Sequence, residues 1–474
     1  MTLFQISTLS IISLLAGWLP YRWRRAVILT LSLIAVYWLQ PVSPIRNLDF
    51  WLPTAAIGLT LLVWAVTAPK ETDNIRWHFL YIAAAPVFIL ILGATRYFDP
   101  LCCLTASRPP QLVQVMIACV LIFGAALVVN RFSPSSRRLA RVMIVVVIAL
   151  FIVLKFQPSG IIVSSGLRSI YGQDPAMATV LDISWLGFSY LAFRLLHTLR
   201  DFQTGRLPSF KSDEYTTYAL FYPSLTAGPI DRSQRFIQTD LRNPDSVSYD
   251  GRLLGIQRIV IGTFKKFVIA DALALIALSP QLISQVNSTL WMWLLLYAFS
   301  LRIYFDFAGY TDIAIGIGLM VGIQLPENFD RPYTTTNLTW FWNSWHITLA
   351  QWFRSYVFNP LTRSLRGSPR HLPSWVIILT GQSLTMLLIG LWHGISWNFA
   401  IWGLWHGLGL FIHNRWSNWI RPYTPQMIEK HKLRKALNFG GWLLTFNYVA
   451  LGWVWFMLPE VNLAVDTFYK LFGN

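Results

Sequence analysis

Long apolar runs recur along the whole chain and limit its fold more than any other feature. Windows near 3–19, 26–41, 50–67, 77–95, 111–130, 139–156 and 176–199, then 254–279, 288–305, 374–392, 395–413 and 439–458, are apolar enough to cross roughly 30 Å of bilayer hydrocarbon. Lipid offers a backbone no hydrogen-bond partners, so such segments must close their own bonds as helices. The expectation is an all-α polytopic membrane protein of about ten to thirteen spans or re-entrant helices, forming one domain over 1–474 without a long polar linker. Only 12% of the residues are charged and 55% are hydrophobic, far from the roughly quarter-charged average of soluble domains.

The first window follows "MTLFQ", which lacks the positive stretch of a cleavable signal, and no small-residue cleavage site stands out. It is expected to stay as a helix. The loop "PYRWRR" carries Arg22, Arg24 and Arg25, and "NRFSPSSRRLAR" carries Arg131, Arg137, Arg138 and Arg141 with no acid. If five helices precede the second loop, both face one side, and the positive-inside rule makes that side cytoplasmic with the N-terminus outside. The opposite-side loops at 42–49, 96–110 and 157–182 set Arg46, Arg96, Arg108 and Arg168 against Asp49, Asp99, Asp174 and Asp182, so their charges nearly cancel.

A net charge of +17 would suit nucleic acid if it lay on one soluble face. Here the cations sit in short loops between apolar helices, which argues against a nucleic-acid partner. Attraction to anionic membrane lipids explains them simply; docking of an acidic carrier protein or a phosphorylated donor on the cytoplasmic face is the sharper reading. Cys102, Cys103 and Cys119 show neither metal spacing nor a disulfide framework and read as ordinary helix or loop residues.

Polar groups inside spans are costly, so each one calls for a reason. "LIGLWHGISWNFAIWGLWHGLGLFIH" (388–413) holds His393, His406 and His413, three of the eight histidines. Gly394 removes side-chain bulk beside His393, leaving space for a ligand or another helix. A neutral imidazole there suits general-base activation of a hydroxyl, or it is a core histidine bonded to a helix carbonyl. His406 and His413 share a helix face, but no HExxH or cysteine pattern supplies further metal ligands, and no metal is expected. His406 reads as a structural hydrogen-bonding residue and His413 as solvated near the basic "HNRW". Upstream, a helix carries Arg302, Asp306 and Asp312, and Pro326 and Pro332 end that pattern. From Asn337 to Tyr356, positions 341, 345, 349, 352 and 356 fall on one apolar side and 343, 346 and 354 near a polar edge, as in a helix that lies at the interface or re-enters the membrane. His346 is then either solvated or functional. No GxSxG elbow, Walker loop or GxGxxG fingerprint is present, so any chemistry belongs to the membrane.

"FWNSWHITLAQWFRSYVFNPL" (341–361) is followed by the histidine of "LIGLWHGISWNFAIWGLWHGLGL". Together they resemble the signature pair of the membrane-bound O-acyltransferases. The likeness extends through "WLGFSYLAFRLLHTLRDFQTG", "AGPIDRSQRF", "YDGRLLGIQRIVIGTFKKFVIADALA", "YFDFAGYTDIAIGIGLMVGIQLPENFDRPY" and "GWVWFML". It is nearest the bacterial branch containing the alginate O-acetylation and teichoic-acid D-alanyl transfer proteins. The resemblance implies a bowl of helices around a thin centre, with N-terminal helices over 1–200 and an acyltransferase core over 201–458. A tunnel would join a cytoplasmic donor funnel to an extracytoplasmic acceptor side.

By the same resemblance His393 is the catalytic base and His346 a catalytic or tunnel-lining assistant. Asn343, Trp345 and Trp392 are candidates to bind substrate and steady an oxyanion. No bound cofactor is implied. The donor would be an acyl thioester, acetyl-CoA or the phosphopantetheine of an acyl carrier protein, with its phosphates near Lys265 and Lys266. Transfer of a small acyl group, acetyl before D-alanyl, to a cell-envelope polysaccharide from the inner or plasma membrane is expected, with an extracytoplasmic acyltransferase as partner. "GPIDRSQRF" looks more like the D-alanyl subgroup and "PENFDRPY" more like the acetylation subgroup, while "TRSLRGSPRHLP" replaces the usual glycine-rich turn after "VFNPL". A proton-coupled transporter using Asp306, Asp312 and the histidines is the rival from another class, and an envelope-assembly scaffold is a third reading.

Overall fold

The computed structural model describes residues 1–68, 75–98, 104–132, 135–243, 245, 247–369, 371–423 and 431–473. Cys102, Cys103 and Asp99 lie outside them. Among the described residues the regular elements are helices, and every apolar window contains one. This is an all-α polytopic membrane protein.

Among the described residues four helices are long and apolar enough to cross a membrane by themselves: Leu48–Thr67, Leu112–Phe132, Thr289–Met320 and Ser374–His393. A fifth crossing results if Arg137–Lys155 and Gln157–Ile170, bent by 92° at their junction, count as one broken span. The larger expected number of crossings therefore does not follow from length and apolarity; several windows form helices that are shorter or carry more charge. The 157–182 segment, expected as a loop, begins with that second helix, because Pro158 at its start lacks the N–H a helix leaves unpaired there. The window at 176–199 starts its helix only at Phe188, after single-turn helices and a left-handed Gly187.

The chain forms two compact units, Met1–Ile259 with Ile313–Leu325, and Val260–Asp312 with Pro326–Asn474. In the first, three contacts gather one set of helix ends. Arg25 pairs with Asp213 at 2.9 Å, Trp64 Nε1 donates to the Phe210 carbonyl, and Ser135 Oγ donates to the Ala68 carbonyl. The basic stretches at 22–25 and around 137 thus share one end of the unit, as the sequence required. The other end is held by Gln40, which bonds Ser184 and Leu186, and by Ser43 on the Asp182 carbonyl.

In the second unit, Ser374–His393 and Trp397–Ile420 form a close hairpin. A Cβ on Gly390 would meet the Phe399 carbonyl at 2.1 Å and one on Gly403 the Met386 carbonyl at 2.4 Å, so the small residues allow the backbones to touch. Ser396 caps the second helix through the Phe399 N–H. The hairpin leaves His393 as the last residue of its first helix.

Candidate active site

His346 and His393 line one cavity of about 50 Å³, walled by Trp342, Trp345, Trp402 and Phe456 among others. That is room for only a few waters, each needing about 10–15 Å³ of such space.

The 337–356 stretch is not one continuous helix. Leu338–Ser344 and Ile347–Phe353 are separate helices, with Trp345 extended and His346 left-handed at φ 43° between them. For a non-glycine residue that conformation costs on the order of 1–3 kcal/mol and must be imposed by its surroundings. The fully buried Asn328 imposes it. Its backbone carbonyl accepts from Ile347 N at 2.9 Å. Its Oδ1 accepts from Thr348 N at 3.2 Å and Thr348 Oγ1 at 2.9 Å, capping the second helix from outside the helix.

The same Oδ1 lies 3.1 Å from His346 Nδ1. An oxygen that accepts from Thr348 is the carbonyl side of the amide, so His346 donates from Nδ1 and Nε2 keeps its lone pair. His346 Nε2 is buried with no hydrogen-bond partner among the described residues. The ring packs edge-on against Phe307 at 4.7 Å and beside Trp392 at 6.1 Å.

His393 is only partly buried. Its ring packs against Trp392, Phe456 and Trp402 at 4.5, 4.8 and 5.5 Å. At the C-terminus of its helix, carbonyl dipoles favour positive charge. A Cβ on Gly394 would lie 2.7 Å from Phe399 Cε2, so the glycine makes room for that aromatic ring. His406 is wholly buried, and contrary to the structural hydrogen-bonding role expected for it, neither ring nitrogen has a partner among the described residues. It is enclosed by Trp342, Trp402 and Tyr448. His413 is bonded by Thr339 and Ser417.

Of the expected substrate-binding groups, Trp345 lines the cavity and Trp392 packs against both histidines. Asn343 is not part of that lining; its Oδ1 accepts from Arg354 at 2.7 Å. Trp342 and Trp402, which no sequence motif singles out, line it instead with buried indole N–H groups that have no acceptor among the described residues. Nothing in an aromatic-rich sequence distinguishes these two indoles.

A second cavity of about 220 Å³ shares Trp342 and Ile389 with the first, so the two are neighbours across those side chains. Arg354, Gln382 and Thr385 also line it, and Gln382 Oε1 and Thr385 Oγ1 are buried without partners among the described residues. Lys265 and Lys266, expected near donor phosphates, are engaged otherwise: Lys265 Nζ donates to Asp312 at 2.7 Å and Lys266 Nζ to Asp306 at 2.5 Å. These pairs also neutralise the two carboxylates on which a proton-coupled path would depend.

The MBOAT, membrane-bound O-acyltransferase family profile matches residues 143–449, which include both cavity histidines. The chain belongs to this family. A peptidoglycan O-acetyltransferase of Helicobacter pylori is 36% identical to this MBOAT chain over 261 residues, 55% of the chain and 46% of that relative. A probable alginate O-acetylase of Azotobacter vinelandii is 31% identical over 342 residues, 72% of the chain and 64% of the relative. A teichoic acid D-alanyltransferase of Bacillus subtilis is 31% identical over 272 residues, 57% of the chain and 68% of the relative. The MBOAT chain thus spans about half to two thirds of the length of these proteins.

Proposed function

We propose that this protein transfers a small acyl group, acetyl in preference to D-alanyl, from a cytoplasmic thioester across the plasma membrane for O-acylation of a cell-envelope polysaccharide. The observation that carries this reading is the pair of histidines on one 50 Å³ aromatic cavity, too small for a long acyl chain. The relatives named for peptidoglycan, alginate and teichoic acid supply the polymer class.

His393 is the base. It takes the proton of the acceptor hydroxyl as that oxygen attacks the thioester carbonyl, and the resulting imidazolium is stabilised by its helix terminus. It then returns the proton to the departing thiolate. A fully enclosed His346 is less suited to carry that charge, since burying an ion is costly. His346 instead offers its Nε2 lone pair to a donor on the substrate, in a direction set by Asn328. The Trp342 and Trp402 indole N–H groups are the donors for the oxyanion.

The thioester arm, of coenzyme A or an acyl carrier protein, enters through the 220 Å³ cavity. There Gln382 and Thr385 meet its amide groups, and Arg354 replaces the lysines as the nearby cation. The basic helix ends face the cytoplasm and the N-terminus lies outside. An extracytoplasmic acyltransferase takes over the acyl group where the polymer is not reached directly.

Mass spectrometry of envelope glycans from cells carrying wild-type protein, His393→Ala or no protein tests this. An ester present only with the wild type is expected, and its mass separates acetyl from D-alanyl. An acyl profile unchanged by deletion would overturn the proposal.

A further inference from the structure

A cavity of about 480 Å³ in the first unit has no role in the reaction above. It lies within the range of roughly 300–1,000 Å³ typical of small-molecule sites. Three segments far apart in the chain build it, at the end of the unit opposite the basic 22–25 and 137–141 stretches. Arg46, Arg96 and Arg108 line it together with Gln111, Gln114 and Tyr171.

None of the three guanidinium groups pairs with a carboxylate among the described residues, although acids stand close by in the chain. Asp182 is held by Arg168 at 2.7 Å and by Ser164 and Thr179. Asp49 is buried and accepts from Ser107, and Asp174 accepts from the Ala176 N–H. The balance of charge seen in the sequence is therefore not a balance of contacts among the described residues, where three guanidinium groups line one cavity and none forms an ion pair.

The wall is also fixed before any ligand arrives. Arg96 Nη1 donates to the Pro109 carbonyl at 2.5 Å and Arg108 Nη2 to the Arg96 carbonyl at 3.1 Å. Each guanidinium has five N–H donors, so most remain available. Gln173 clamps the first segment, accepting from Arg46 N and donating to the Pro44 carbonyl. Beneath it Tyr171 packs on the Ile45, Leu48 and Leu52 cluster.

We propose that this cavity binds an anionic carbohydrate segment, a sugar bearing a carboxylate or phosphate, through Arg46, Arg96 and Arg108. Arginine forks match those planar or tetrahedral anions. The side-chain amides of Gln111 and Gln114 and the Tyr171 phenol suit the hydroxyls of a sugar ring. The positive-inside orientation puts the cavity on the extracytoplasmic face, where an envelope polymer is found. Identifying the occupant as the acceptor polymer rests on the function proposed above; the anion site rests on this unit alone.

Full-length protein in a non-ionic detergent is titrated with a galacturonic acid pentamer, with neutral maltopentaose and with phosphatidylglycerol micelles. Saturable binding of the pentamer and none of maltopentaose is expected, with at least tenfold weakening in Arg46→Gln/Arg108→Gln. If that variant melts early, Arg46→Gln alone decides, because its side chain makes no hydrogen bond or ion pair with the described residues. Pentamer binding that is absent, or unchanged by the substitutions, would overturn the site. Displacement of the pentamer by phosphatidylglycerol would make it a lipid-headgroup site and overturn the carbohydrate assignment. Repeating the titration with His393→Ala keeps the two proposals apart, since binding persists there even if no transfer activity is ever found.

Discussion

The two cavities invert each other's chemistry. In the second unit the histidine cavity is small and aromatic, and its polar groups are few: the imidazoles of His346 and His393 and the indole N–H groups of its tryptophans. In the first unit the arginine cavity is almost ten times larger, lined by cations, amides and hydroxyls. A dry site of the first kind makes each electrostatic contact strong, which suits bond making. A wet, charged site discriminates by sign and is screened by salt, which suits capture of a ligand. Polarity alone does not mark a catalytic site; what separates these two is the room around the polar atoms.

The sharpest way to break this comparison is His393→Ala. Transfer from thioester to acceptor should fall by about 10²–10⁴-fold, the usual contribution of a general base, with the melting temperature unchanged; assay of purified protein decides, and retained turnover would remove the base assignment. Asn328→Ala comes next, because one side chain orients His346 and caps the following helix. A loss of about 1–3 kcal/mol in stability and a roughly 10- to 100-fold lower rate are expected, read by thermal unfolding and steady-state kinetics. A normal rate would show that the His346 tautomer is irrelevant. Trp342→Phe keeps an aromatic six-membered ring but deletes the N–H, and should lower kcat by about tenfold with KM nearly constant, a modest value for an oxyanion donor.

The smallest effect concerns the support of the arginine cavity. Burial by itself would push the Asp182 carboxyl up, but Arg168, Ser164 and Thr179 hold it well below the usual carboxylate range. Its folded-state value is depressed, so its contribution to stability is full above an unfolded value of about 3.9 and fades as pH falls below that. Acid unfolding in detergent should begin near pH 4, and Asp182→Asn should be less stable at neutral pH and flatter below it. Equal slopes in the two proteins would show that the Arg168 contact does not support this end of the unit.

Much of the fold was legible because lipid forces apolar windows into helices whatever their neighbours do, and each window does contain one. His346 and His393 were legible because an imidazole in an apolar run is costly enough to need a purpose. Asn328 was not: it lies 18 positions from His346, and its three acceptor contacts form only when the 328–330 and 344–348 segments meet. Lys265 and Lys266 looked available for phosphate because their partners lie on a helix 40 or more positions away.

The sequence by itself determined that this chain lives in a membrane as helices, which end of its first unit is basic, and which histidines had to be explained. All of these depend on local composition and on transfer from water to lipid, which neighbours along the chain decide. Tertiary structure alone decided which nitrogen of His346 is bare, which lysines are neutralised, and which arginines share an unbalanced cavity. Hydrogen bonds and ion pairs act over a few ångströms, and only folding determines which distant residues come that close.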